Sequence, residues 1–289
     1  MKPFNLGRLL PHEIFFGLFL FITWIRFATV LGLGSPESLL YLALIFVNLG
    51  LISACERMES PARWRWRLLF YVAAMNIVFI HMKSAIPKIQ PLRMDSFLQR
   101  VDSALIGRNL SLRLESLTHP ALTDFFSACY ILFFPYLAVS LILYYSGDLG
   151  LLKKFATGLF TIYGIGFLGY SLLPAVGPAL HMPSAFSVPL QGGWITNANV
   201  AVVSKGSNGV DVFPSLHCAV SSFLLFFDRR HRPWRFKIYL IPAVGLWIST
   251  IYLRYHYFVD LLCGFALSAF ALRLAHNFER TSVEPSPQH

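Results

Sequence analysis

Charge is what this chain has least of. Only 13% of its 289 residues are Asp, Glu, Lys or Arg, about half the share in ordinary soluble domains, which excludes a water-facing globule of this length. Acids are the scarcer sign, 14 against 24 Lys and Arg. Cysteine is sparse too: Cys55, Cys129, Cys218 and Cys263 stand one per apolar segment. That scatter offers no metal set and no disulfide framework, and the four read as small buried hydrophobes. No internal repeat and no linker interrupts the chain, so residues 1–279 form a single membrane domain, and only the Pro- and Ser-rich stretch 280–289 reads as a disordered cytoplasmic tail.

Apolar residues are what the chain has in excess, 56% hydrophobic and 16% aromatic, with a mean hydropathy of +0.58. This composition specifies an all-α, polytopic integral membrane bundle. Apolar runs near 14–33, 39–55, 68–82, 121–145, 155–173, 214–227, 238–253 and 257–275 predict about eight transmembrane helices. The first has the length of a spanning helix rather than of a signal core, and no small-residue cleavage site follows it, so it is expected to be retained. Basic residues collect after the second run (Arg57, Arg63, Arg65, Arg67), the fourth (Lys153, Lys154) and the sixth (Arg229, Arg230, Arg232, Arg235, Lys237). By the positive-inside rule both termini are then cytoplasmic. Trp64, Trp66 and Trp234 beside those arginines read as interfacial anchors, and Arg26 in the first helix requires a structural partner.

The connection Lys83 to Pro120 carries both charge signs with apolar residues at Phe97, Leu98, Val101, Leu105, Leu110, Leu112 and Leu117, the pattern of amphipathic helices lying in the membrane surface. The net charge of +10 records orientation and contact with anionic membrane lipids rather than nucleic-acid binding, for which the chain has no fold context.

Two short motifs carry the chemistry. Pro214-Ser215-Leu216-His217 and Arg254-Tyr255-His256-Tyr257-Phe258-Val259-Asp260 each open an apolar stretch on the outer face, where ionisable groups are costly. His256 and Asp260 are four residues apart, which on a helix puts them on one face, the carboxylate holding the imidazole and raising the nucleophilicity of its other nitrogen. His217 falls in the first turn of a helix, where free N–H groups favour an anion, and phosphate is the natural guest. Pro214 suits a helix start, Ser215 can cap that turn or donate to a phosphate oxygen, and Arg254 can neutralise the same charge. Each histidine taken alone reads as a satisfied polar group or an interface anchor at a helix end sooner than as a catalyst. A metal use of His, His and Asp has only an i, i+4 pair and one distant ligand behind it.

These residues resemble the type 2 phosphatidic acid phosphatase superfamily. Pro-Ser-Leu-His and His-Tyr-Phe-Val-Asp are similar to its second and third motifs, in the branch containing inositol phosphorylceramide synthases; the phosphatase branch usually has glycine where Leu216 stands. Arg100 to Gly107 and Leu173 to Pro178 are also similar to that branch, and the resemblance covers roughly residues 95 to 275. It implies a six-helix core, about 66–276, preceded by two further helices. It also implies a phosphohistidine mechanism without a metal or other cofactor: His256 as nucleophile, Asp260 orienting it, and His217 as acid and then base.

Two family cations are missing. Ser249 and Thr250 stand where the third motif usually has Ser-Arg, and Gly177 to His181 has no Lys or Arg where the first motif should lie. Such a site suits a phosphodiester monoanion better than a monoester dianion. Arg254 is the substitute cation, Lys205 a further source of charge, and Asp211 a candidate neighbour of His217. The Pro/Gly-rich stretch from Pro174 to Gly193 is expected to cap the site or to shape lipid entry.

The expected function is transfer of a phosphorylated head group from a phospholipid donor to a lipid alcohol, as in inositol phosphorylceramide synthases. Hydrolysis of phosphatidate or a polyprenyl (di)phosphate, with water as acceptor, shares the same first step. A non-catalytic lipid transporter using the histidines as a proton relay is the reading from another class. A bacterial inner membrane with a periplasmic site fits the compact chain, and a lumenal face of an organelle reads the same way.

Overall fold

The computed structural model describes the backbone of residues 9–283 and side chains as far as Asn277. Proline and small polar residues set the helix starts. Pro11, Pro36, Pro61, Pro120 and Pro233 lie in first turns, where a missing N–H costs nothing. Ser35, Ser60 and Asp148 accept a first-turn N–H of the helices they precede. The resulting order is α1 (Pro11–Leu31), α2 (Pro36–Arg57), α3 (Pro61–Ile89), α4 (Asp95–Ile106), α5 (Leu110–Arg113), α6 (Pro120–Ile131), α7 (Phe133–Tyr145), α8 (Leu149–Leu172), α9 (Pro178–His181), α10 (Trp194–Gly206), α11 (Leu216–His231), α12 (Pro233–Tyr252) and α13 (Phe258–Val283), with no strand among the described residues.

Among the described residues six segments are long and apolar enough to cross a membrane: α1, α2, α3, α6 with α7, α8 and α13. The protein is an integral membrane protein. Of the eight expected, the sixth and seventh fall outside this set. α11 has 16 residues, about 24 Å against a hydrocarbon core of about 30 Å, and α12 begins with Arg235 and Lys237 in its first turns. The last helix continues to Val283, past the expected start of the tail at 280; residues 284–289 lie outside the described residues.

The most enclosed spanning helix is α8, with 72% of its most apolar stretch buried. It packs on α1, α3, α11 and α13, while α12 packs on α6 and α11. α4 and α5 form in the connection where amphipathic helices are expected, with Phe97 and Leu105 exposed. The buried side of α4 holds Leu98 together with two acids, Asp95 and Asp102.

Charges inside the bundle are partnered. Arg67 Nη2 meets Glu13 Oε2 at 2.5 Å, with side-chain exposures of 1% and 0%. Arg26 Nη1 donates to the Ser171 carbonyl at 2.8 Å, using an orphan acceptor at the end of α8. Asp228 accepts from Tyr136, Tyr144 and Arg235, tying α7, α11 and α12. The loops after α2, α7 and α11 meet at one end: Arg65 reaches the Gly147 carbonyl at 2.9 Å, Lys153 Nζ lies 3.5 Å from the centre of the Trp64 ring, and Arg232 sits over Tyr144. Trp66 and Trp234 are exposed there, as anchors should be, whereas Trp64 is half-buried against Lys153 and Arg67.

Removing one member of the Glu13–Arg67 pair leaves a buried charge unmatched, which costs about 3–5 kcal/mol. Arg67→Met is therefore expected to lower the melting midpoint in detergent, and adding Glu13→Gln to recover most of it; equal midpoints for the wild type and the single variant would refute the pairing.

Candidate active site

After α12 the chain reverses. Arg254 adopts φ 66°, the left-handed conformation that usually goes to glycine at a helix end, and the Thr250 carbonyl accepts from both Tyr255 N and His256 N at 3.0 Å. A residue with a Cβ costs about 1–2 kcal/mol there. The turn leaves His256 ahead of α13 rather than on it, so the expected shared helix face is corrected: only Asp260 is helical. Asp260 lies in the first turn and its Oδ2 accepts from Tyr257 N at 2.7 Å, the reciprocal half of a capping box. The same oxygen is 3.4 Å from His256 Nδ1, within ion-pair reach, though Nδ1 makes no aligned hydrogen bond.

The second motif is brought to the first by backbone. Ser215 N donates to the Asp260 carbonyl at 3.0 Å. Gly264 allows that approach, since a Cβ there would stand 2.6 Å from the Ser215 carbonyl oxygen. Ser215 caps α11 by accepting from Cys218 N at 3.4 Å, which realises the cap expected of it. His217 follows in the first turn. Its ring lies between Tyr130 and Phe133, at centroid distances of 4.6 and 4.9 Å. Both come from the junction of α6 and α7, where Pro135 lacks the N–H that would bond the Ile131 carbonyl. The centroids of His217 and His256 are 5.9 Å apart.

α4 clamps the whole turn. Asp102 accepts from Phe258 N at 2.8 Å and Val259 N at 2.9 Å, taking up free donors at the start of α13. Burial pushes the Asp102 carboxyl up, against these two amides, which hold it down. Asp95 accepts from Gly177 N at 2.9 Å, Val176 N at 3.1 Å and the Tyr257 hydroxyl at 3.1 Å. Gly177, at φ 82°, passes so close to the turn that a Cβ would stand 2.2 Å from the Tyr255 carbonyl oxygen. Residues 174–177 thus press directly on the histidine turn, in line with the expected capping role of that stretch.

The remaining expected residues are dispersed. The Arg254 guanidinium faces the loop around residue 188, donating to the Val188 carbonyl at 2.6 Å, 3.9 Å from Glu115 Oε1, and 3.9 Å from the centre of the Phe186 ring. Glu115 is itself held below the usual carboxylate range, first by the Val188 N–H. Asp211 accepts from Ser207 Oγ at 2.8 Å and shares a cavity wall with His217. Lys205 is exposed on α10 and does not line that cavity. Ser249 and Thr250, in place of the family cation, bond back to carbonyls of their own helix. Among the described residues no three His, Cys, Asp or Glu side chains come together as a metal set.

Asp95, Asp102 and Tyr257 were not among the expected site residues. Their signal was present: Asp95, Leu98 and Asp102 follow helical spacing on an amphipathic segment, so the acids share its packed face. Asp102→Ala strands two N–H groups at the start of α13 and is expected to destabilise the protein by about 1–2 kcal/mol, with faster amide hydrogen exchange at Phe258 and Val259. Unchanged exchange at those amides would refute the clamp.

The PAP2 superfamily model matches residues 96–274, which takes in both histidine motifs and the α4 clamp residue Asp102. A PA-phosphatase related-family protein of Dictyostelium discoideum is 31% identical over 127 residues, covering 42% of this chain and 23% of that protein. The chain thus spans about a quarter of the length of that relative. No solved structure matches. With both motifs meeting at one end of a membrane-spanning bundle, and the family match running over more than half of its length, this chain belongs to the PAP2 superfamily.

Proposed function

We propose that the protein is a membrane lipid phosphotransferase that moves a phosphorylated head group from a phospholipid to a lipid alcohol through a phosphohistidine, in the manner of inositol phosphorylceramide synthases. Membership of the PAP2 superfamily supports lipid phosphate chemistry of the phosphatase or phosphotransferase type. The observation that carries the reading is the approach of the His217 and His256 rings to 5.9 Å, with Asp260 against the second of them. One phosphorus atom is then within reach of both.

Nδ1 of His256 faces Asp260, which leaves Nε2 to attack. As the N–P bond forms, the P–O bond to the donor's lipid oxygen breaks, and His217 delivers its proton to that oxygen. The acceptor hydroxyl then gives its proton to His217 while its oxygen attacks phosphorus and the N–P bond breaks. Asp260 fixes the tautomer of His256 and balances its charge in both steps. No metal takes part in this scheme, and chelators are expected to leave turnover unchanged; loss of activity restored by a divalent cation would overturn that part.

The charge pattern supports transfer of a diester-linked group. Ser249 and Thr250, which bond back to their own helix, stand where the family usually has its phosphate cation, and Arg254 is the cation proposed for the phosphate. The second reading is hydrolysis with water as acceptor, favoured by the likeness to the PA-phosphatase related-family protein of Dictyostelium. The basic loops after α2, α7 and α11 gather at the end away from the motifs, which supports cytoplasmic termini and a site on the extracytoplasmic or lumenal face; a bacterial inner membrane is the location proposed.

Mass spectrometry of lipids from membranes holding the wild type or His256→Ala tests the reading. A new lipid carrying the donor's head-group phosphate, absent in the variant, is the expected result, together with acid-labile phosphorus on the wild-type chain. Free phosphate and a dephosphorylated lipid would select hydrolysis, and altered lipid flux with no phosphorus bond broken would sink the enzyme. Arg254→Ala is expected to cost about 10²–10³-fold in turnover; near-normal rates would remove Arg254 from the phosphate site.

A further inference from the structure

His256 is held by a carboxylate, and His217 is not. Nδ1 of the His217 ring is buried and makes no hydrogen bond within the protein, while Asp211, which shares a cavity wall with it, accepts from Ser207. The orientation of the ring therefore depends on the rings packed round it, Tyr130 closest among them. Tyr130 is in turn met edge-on by Tyr255, at a centroid distance of 5.0 Å. The Tyr255 hydroxyl reaches α10, where it accepts from Asn199 Nδ2 at 3.0 Å. Asn199 is 1% exposed, and this is the one side-chain hydrogen bond it makes, since Oδ1 has no partner within the protein. An apolar residue would fill the place at less cost. α10 is fixed from α6, the helix that carries Tyr130: Asp124 accepts from Gly193 N at 2.9 Å and from Thr196 N and Oγ1 at 3.0 and 2.6 Å. Thr196 and Asn199, one turn apart, are the two buried residues of α10. The contacts thus close on themselves, from α6 to α10 to the histidine turn and back to α6.

We propose that Asn199 is a positioning residue for His217, acting through Tyr255 and Tyr130. The inference rests on the proposed function, in which His217 gives a proton to the leaving lipid oxygen and takes one from the acceptor. Fixing the tilt of the ring keeps one nitrogen aimed at the oxygen on phosphorus, the service that Asp260 performs for His256. His256 has separate supports in Asp260, in the Thr250 carbonyl and in the Asp102 clamp on the next two residues. Loss of the Asn199 bond is therefore felt at His217 and not at the nucleophile.

The test separates the two steps with bis(p-nitrophenyl) phosphate, a diester whose leaving group departs as p-nitrophenolate. In the first step the N–P bond to His256 forms and the P–O bond breaks, with no proton needed from His217. In the second, water gives its proton to His217 while its oxygen attacks phosphorus and the N–P bond breaks. Full-length wild type, Asn199→Leu and Tyr255→Phe are compared in nanodiscs by rapid mixing, with a melting scan to confirm the fold; Tyr255→Phe keeps the ring and removes only the bonded hydroxyl. Both variants are expected to release the first p-nitrophenolate at the wild-type rate and then to turn over about tenfold more slowly, kcat falling while kcat/KM holds. Histidine-labelled NMR of the same samples, with His217 assigned through His217→Ala, is expected to show its ring signal broadened in both variants. First release slowed together with turnover, unchanged turnover, or an unchanged His217 signal overturns the inference. A wild type that forms no acid-labile phosphorus, with this diester or in membranes, fails the proposed function instead; the positioning is then read from the ring signal alone, broadening supporting it and an unchanged signal overturning it.

Discussion

Asp260 holds three parts of this protein together. Its side chain caps the helix it begins, the same oxygen stands against His256, and its backbone carbonyl receives the first donor of the His217 helix. The residue is fully buried, and a carboxylate in such a place is tolerated only with partners close by. The carboxylate is met within its own motif, by Tyr257 N and His256, and the backbone carbonyl draws in the His217 helix. Asp102 and Asp95 repeat the device one layer out, each binding backbone N–H groups and so fixing the turn from behind. The scarce acids of this chain are thus used as backbone staples, and the chemistry sits on the geometry they impose.

The opposite end is built on the other charge. There arginines close the bundle: Arg67 on Glu13, Arg235 on Asp228, Arg65 on the carbonyls that end α7. At the histidine end Arg93 and Arg113 donate to the Gly209 and Ile106 carbonyls and Arg254 to that of Val188. An anion at that end is met by histidines, free helix-end N–H groups and Arg254, a weaker field than a cluster of lysines and arginines provides.

Much of this was legible in the sequence, for reasons that differ by residue. The apolar runs, the amphipathic connection and the gathering of basic loops follow from hydropathy and charge, which act locally. Ser215 as a cap and the partner required by Arg26 follow from the cost of unsatisfied groups. The helical pairing of His256 with Asp260 was misread because spacing alone does not reveal that Arg254 ends one helix and that the next begins only at Phe258. The shared packed face of Asp95 and Asp102 is carried by local helical spacing, but the backbone amides they bind lie more than eighty residues away and that pattern does not name them. Among the described residues six rather than eight segments are long and apolar enough to span, because α11 is short and α12 begins with Arg235 and Lys237.

That short helix has a consequence for which lipids the protein can accept. From Arg229 back to His217 is about 18 Å of helix, so the second histidine lies well within the thickness of the bilayer rather than at its surface. On the proposed reading, a lipid head group descends to meet it past the stretch of chain braced by Arg254 on Val188 and Phe186. In the same proposal discrimination between head groups belongs to that stretch, apart from the reacting residues.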